Sequence, residues 1–192
     1  MTSYGAFEDP YCFRGSAVLL NKHGITSAVE LEAFEVAMFT LRSMQPLPQG
    51  KFNSAHYQSI HHHLFQDVYD WAGEYRTIRI AKGSSMFCYP EHIEAQMETL
   101  FATLADGLLA GGGTREEFIA AVAEFLADLN AIHPFREGNG RTQLTFLFLL
   151  GERAGHSLDM ARIRPQEMLS AMIESFDGQL KLLEREIGRL LV

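Results

Sequence analysis

The chain has 192 residues, 47% of them hydrophobic and 21% charged, a composition ordinary for a soluble globular protein and long enough for one substantial core. A single domain spanning residues 1–192 is therefore expected. The net charge of −8 and the pI near 5.4 argue against a broad phosphate-neutralising surface, so no direct nucleic-acid partner is expected.

Cys12 and Cys88 are too few and too far apart for a disulfide framework or a zinc site, which points to a reducing, cytoplasmic setting. The start of the chain lacks the basic and apolar pattern of a signal peptide. The apolar run Leu144–Leu150 is far shorter than the ~20 residues that span a bilayer, so no membrane association is expected.

The first 25 residues are rich in turn formers. A capping box at Ser27–Glu30 then predicts a helix to about Arg42, with Leu31, Phe34, Met38 and Leu41 at helical spacing. A second helix follows the cap Asn53 and runs to about Val68 on the stripe Tyr57, Ile60, Leu64, Val68. After a turn at Asp70–Glu74, the stretches Thr77–Ile80 and Met86–Tyr89 predict a β-hairpin around Ala81–Ser85. A third helix runs from Pro90 to about Leu109 and stops at Gly111–Gly113. A capping box at Thr114–Glu117 opens a fourth, to about Ala131. Helix resumes from Asn139 to about Ala154, then over roughly Pro165–Phe176 and Asp177–Leu191. The sum is an all-α fold of about seven helices with one short hairpin.

The chemistry concentrates between the fourth and fifth helices. Pro134 biases His133 away from helical geometry, which places the histidine in a loop just after a helix end. Gly138, Asn139 and Gly140 can take positive φ values and turn their N–H groups into an anion-holding nest at the start of the next helix. Arg141 adds a charged fork suited to phosphate oxygens. Glu137 would repel phosphates unless it held a bridging metal, and Mg²⁺ with few protein ligands fits that description. A histidine such as His133 titrates near neutrality and can accept a proton from an attacking hydroxyl. The set points to nucleotide phosphate binding and to nucleotidyl or phosphoryl transfer.

His133-Pro-Phe-Arg-Glu-Gly-Asn-Gly-Arg141 resembles the signature of the Fic family, His-x-Phe-x-(Asp/Glu)-Gly-Asn-Gly-Arg-x-x-Arg. Asp67–Gly73 with Tyr75-Arg76, the hairpin Ile80–Phe87 and Ile173–Phe176 extend the likeness across most of the chain. It is nearest to the bacterial toxin subgroup with the Vbh and Bartonella effector Fic domains. The resemblance implies a Fic fold and a protein adenylyltransferase toxin that moves AMP from ATP to a hydroxyl of a target protein. His133 would be the base and Glu137 the Mg²⁺ ligand. Gly138, Asn139, Gly140 and Arg141 would bind the phosphates, and Phe135 would be a buried anchor. The hairpin would be the flap beside the active site, which registers a target segment by strand addition, with Lys82, Gly83, Ser84 and Ser85 near the nucleotide. Type II topoisomerase subunits are the implied targets, and a small antitoxin carrying an inhibitory helix is the implied partner.

Leu144 departs from the pattern. The family keeps there the arginine that orients the γ-phosphate, and leucine cannot bind phosphate. In its plain structural role Leu144 only extends the apolar surface of Phe146–Leu150. In its functional role it weakens the transfer, shifts the γ-phosphate to another cation, or changes how ATP sits. A catalytically impaired binding module and a phosphotransferase like the death-on-curing toxins are the alternatives. Those toxins carry Ala-Asn-Lys where this chain keeps Gly-Asn-Gly, which favours AMP transfer. Thr26–Leu31 and Ser170–Ser175 only partly match the family's inhibitory pattern, so no inhibitory helix is expected within the chain. His61-His62-His63 falls on a helix, where consecutive side chains cannot face one metal. Trp71 and Tyr75 are expected to be packing residues.

Overall fold

The computed structural model describes residues 9–82, 85–106 and 113–192. Among them are seven α-helices: α1 (Ala28–Ser43), α2 (Ser54–Phe65), α3 (Ile93–Asp106), α4 (Arg115–Ile132), α5 (Asn139–Ala154), α6 (Pro165–Ser175) and α7 (Lys181–Leu190). The sequence signals explain most of these starts. Ser27 and Asn53 accept amide hydrogens from Glu30 and His56, and Thr114 with Glu117 forms both bonds of a capping box. Pro165 opens α6 at a first-turn position where its missing N–H is harmless.

Several boundaries differ from expectation. Helix α2 ends at Phe65 rather than Val68, where the chain tightens into a turn in which the Val68 amide bonds to the Phe65 carbonyl three residues back. Helix α3 is preceded by a turn of 3-10 helix at Pro90–His92. Its predicted end near Leu109 and the first glycines of its stop lie outside the described residues. Helix α7 begins at Lys181, since Gly178 takes a left-handed φ of 78° that breaks the chain's helical course. Near the predicted hairpin only two short strands pair among the described residues, displaced from the expected positions. They are β1 (Ala81–Lys82) and β2 (Ser85–Met86), antiparallel, with Ala81 opposite Met86 and Lys82 opposite Ser85. Of the predicted strands Thr77–Ile80 and Met86–Tyr89 only Met86 lies in a strand, and the chain bends at Thr77–Ile78. One wider bond, from the Phe87 amide to the Ile80 carbonyl at 3.4 Å, continues the pairing.

Helix α4 packs against α3, α5, α6 and α7, while α2 bridges α1 and α5. Aromatic rings fill the centre. Phe146 meets Tyr57, Phe101 and Phe125 at 5.4 to 6.0 Å between ring centres. Burial of each such ring contributes roughly 1.5–3 kcal/mol. The cluster clamps the two ends of the α4–α5 connection, where the predicted chemistry lies. Among the described residues, no helix is long and apolar enough to cross a membrane. Cys12 and Cys88 are free thiols.

Candidate active site

The α4–α5 connection is held almost atom by atom. His133 caps α4 in the left-handed region, with φ 48° and ψ 63°, as a residue before proline that must leave the helix. Its ring stacks on Phe87 at 3.9 Å, with 17° between the planes. Phe135 is fully buried, stacked on His61 at 3.7 Å and on Tyr57 at 5.5 Å, as an anchor should be. Asn139 spends its side chain on the loop itself. Its Oδ1 accepts the Phe135 amide hydrogen, and its Nδ2 donates to the Phe135 carbonyl.

This narrows the expected nest to one left-handed residue. Of Gly138, Asn139 and Gly140 only Gly138 has a positive φ, 82°; the other two already lie in the first turn of α5. The feature suited to hold an anion is therefore the helix start. Gly138 at the N-cap has no side chain to cap it, so the first amides of α5 are open to a ligand. Gly138 is also required by packing, because a Cβ there would lie 2.5 Å from the Phe65 ring. A Cβ on Gly140 would meet nothing within 4 Å, which leaves room over the helix start.

Glu137 is half-exposed. Its Oε1 accepts the Gly138 amide hydrogen at 2.9 Å and lies 3.6 Å from Arg141 Nη2. Among the described residues no group of three metal-ligating side chains occurs, so a metal here would depend on this one carboxylate plus oxygens of a substrate. The Glu137 carbonyl accepts a bond from His61 Nε2 at 3.0 Å, while His61 Nδ1 accepts the Gly73 amide hydrogen. Those partners assign His61 its neutral tautomer. Burial pushes its pKa down to about 3. The three consecutive histidines thus tie three different segments, since His62 bonds Ala72 and His63 bonds Arg42, each through a backbone carbonyl. None of this was legible in the run of histidines.

Arg141 has partners that the sequence did not announce. Its Nη2 donates to Glu35 Oε1 of α1 at 2.5 Å, and its guanidinium lies 4.7 Å over the Phe65 ring. The other Glu35 oxygen takes the Tyr69 hydroxyl hydrogen. Glu35 sits mid-helix with no motif around it. The glutamates of the two partial inhibitory patterns, Glu30 and Glu174, are both exposed.

A cavity of about 630 Å³ collects the set. His133, Glu137, the α5 start and Arg141 form its polar end, and Leu144 with Met168, Met172 and Ile173 forms its apolar wall. Leu144 therefore faces the site as well as packing on the core. A second cavity of about 1010 Å³ runs along Thr77–Ala81 and Phe87 and shares His133 and Glu137 with the first. The histidine stands between a groove beside the hairpin and the polar end of the other cavity. The side chains of Lys82 and Ser85, with Gly83 and Ser84, lie outside the described residues. Trp71 packs against Tyr69 at 4.3 Å between ring centres, as expected of a packing residue.

A helical body that sets a loop histidine, a carboxylate, an arginine and an open helix start around one cavity defines a protein built to handle phosphate groups. A model of the Fic/DOC family matches residues 51–150. The chain is 49% identical over its full length to the probable protein adenylyltransferase y4lH of Sinorhizobium fredii, all of which it covers. It is 37% identical to the protein adenylyltransferase VbhT of Bartonella schoenbuchensis, with 98% of this chain and 40% of VbhT aligned. The crystal structure of BepC from Bartonella tribocorum with bound AMPPNP superposes with a TM-score of 0.87 at 26% identity, covering 95% and 96% of the two chains. The chain belongs to the Fic/DOC family, and its fold is the Fic fold.

Proposed function

We propose that this protein is an adenylyltransferase that moves AMP from ATP to a hydroxyl side chain of a target protein. One observation carries the reading: His133 borders both the groove along the hairpin and the cavity that holds Glu137, the α5 start and Arg141. The names of the relatives and the nucleotide bound to BepC support it.

In this reading the target hydroxyl enters from the groove and His133 accepts its proton. The hydroxyl oxygen attacks the α-phosphorus of ATP, the bond to the β-phosphate bridging oxygen breaks, and pyrophosphate leaves. The α5 amides and Arg141 hold the phosphates in line, so positioning does most of the work. Glu137 is the ligand for Mg²⁺, which supplies charge neutralisation on the phosphates when bound. The hairpin is the flap. A target segment adds to it as a strand, and Lys82 to Ser85 reach the nucleotide. The protein acts in the cytoplasm as the toxin of a toxin–antitoxin pair, held by a small antitoxin with an inhibitory helix. Type II topoisomerase subunits are the first targets to test.

Leu144 on the cavity wall favours one second reading, an impaired domain that binds nucleotide or partner without transfer. Comparing α-labelled with γ-labelled ATP, in Mg²⁺ and a bacterial lysate, separates the outcomes. AMP transfer labels discrete proteins from the α position only. Label from the γ position alone means phosphotransfer, and no label means the impaired domain.

A further inference from the structure

Arg76 is 2% exposed, and each of its four side-chain hydrogen bonds ends on a backbone carbonyl. Nε donates to His133 at 2.9 Å and Nη1 to Ile78 at 2.6 Å. Nη2 donates to Cys88 at 2.6 Å and to Ile132 at 3.1 Å. The Arg76 amide adds a bond to the Pro134 carbonyl at 2.9 Å. One guanidinium thus joins the end of α4, the chain entering the hairpin and the chain leaving it.

Two physical needs meet at this point. The last carbonyls of α4 lack partners within the helix, and its last turn carries no basic residue of its own. A cation brought in from elsewhere serves both. His133 also holds a left-handed conformation that a non-glycine residue adopts only when its surroundings fix it. Bonds from Arg76 to the carbonyls of Ile132 and His133 fix the peptides on both sides. The bond to Cys88 holds the residue next to Phe87, whose ring stacks on His133, and the Cys88 amide bonds in turn to Ala131. Lysine could not replace this geometry, since four acceptors on three segments match a planar fork and not a tetrahedral ammonium.

We infer that Arg76 is a positioning residue, setting His133 against Phe87 and fixing the base relative to the two roots of the hairpin. The inference rests on the adenylyltransferase reading for its kinetic consequence but not for its structural one. Arg76 touches neither the α5 start, nor Glu137, nor Arg141, so its loss moves the base and leaves the phosphate end in place.

The test compares the unmodified protein with Arg76→Lys well below both melting temperatures. Three quantities are read: AMPPNP affinity by calorimetry, initial transfer from α-labelled ATP at saturating ATP, and the His133 ring proton shifts by NMR. The expected result is a rate reduced about a hundredfold. AMPPNP affinity stays within about threefold, since the groups that bind phosphate are untouched. The His133 ring protons, shifted upfield by the Phe87 face in the unmodified protein, move downfield. A rate that falls only with the folded fraction, affinity lost in step with rate, or unchanged ring shifts overturn the inference. A measurement on the unmodified protein needs no variant to fold: exchange of the Arg76 Nε hydrogen as fast as in an exposed arginine also overturns it. If the unmodified protein transfers no AMP, the adenylyltransferase reading fails, and the ring shifts and exchange still decide the placement of Arg76.

Discussion

The two ends of the motif loop are built on opposite principles. At the base end, buried neighbours determine nearly every atom: Arg76 on the His133 carbonyl, Phe87 on its ring, His61 and Tyr57 around Phe135, and Asn139 across the loop. At the phosphate end the protein keeps one motif cation, Arg141, and shares it with Glu35. One turn further on it presents Leu144 to the cavity. In the proposed mechanism the base is fixed by packing, whereas the grip on phosphate would be set by a balance of charges. Substitutions at the first end should therefore damage transfer steeply, and those at the second should tune it.

The steepest effect is expected where the two ends join. Gly138→Ala puts a Cβ against the Phe65 ring at a left-handed φ, so the α5 start must shift. Transfer should fall about a hundredfold, since displacements of about 1 Å have that effect. Stability should drop by about 1–3 kcal/mol, read by urea unfolding. Full activity in this variant would mean that the helix start does not hold the phosphates.

Leu144→Arg sharpens the other end. A guanidinium on the cavity wall adds a charge-assisted contact to the phosphates, and transfer at limiting ATP should rise about tenfold. An unchanged rate would show that the γ-phosphate is already held elsewhere. Glu35→Gln removes the carboxylate that competes for Arg141. AMPPNP binding should tighten about threefold while the melting temperature falls, because Tyr69 and Arg141 lose a charged partner. Weaker binding would instead make Glu35 a support for Arg141.

The smallest effect lies away from both ends. The hydrogen bonds from Arg42 hold the Asp67 carboxyl below its ordinary 3.8 and tie α1 to the turn after α2. A carboxyl depressed in the folded state stabilises above its unfolded value, and the contribution is lost as pH falls through the folded one. Asp67→Asn should lower stability slightly at neutral pH and flatten its decline below pH 3.8, read by thermal melts across that range. An unchanged acid slope would show that the pair contributes nothing.

Sequence signals located the seven helices because caps and apolar spacing are local: Thr114 with Glu117, Asn53 and Pro165 each mark a helix start. They also located the loop that lines the first cavity, since His133, Glu137 and Arg141 stand together in the chain. The supports were not legible because they come from far away. Arg76 stands in a stretch that matches the family pattern but carries no sign of its contacts, Glu35 carries no signal at all, and His61 is one of a run. Each acquires its role only from a partner 57, 106 or 76 residues distant, through a contact that no local pattern encodes. The φ pattern of the three nest residues was hidden for a related reason. Glycines permit positive φ, but the start of α5 decided which of them uses it.

The central claim is that His133 takes the proton of a target hydroxyl as AMP is transferred. It is tested most directly by initial rates of α-label incorporation from ATP, with lysate proteins as acceptors, for the unmodified protein and for His133→Ala after both are shown to fold and to bind AMPPNP alike. The account predicts discrete labelled proteins with the first and a loss of at least about a hundredfold with the second. Equal labelling by the two would contradict it.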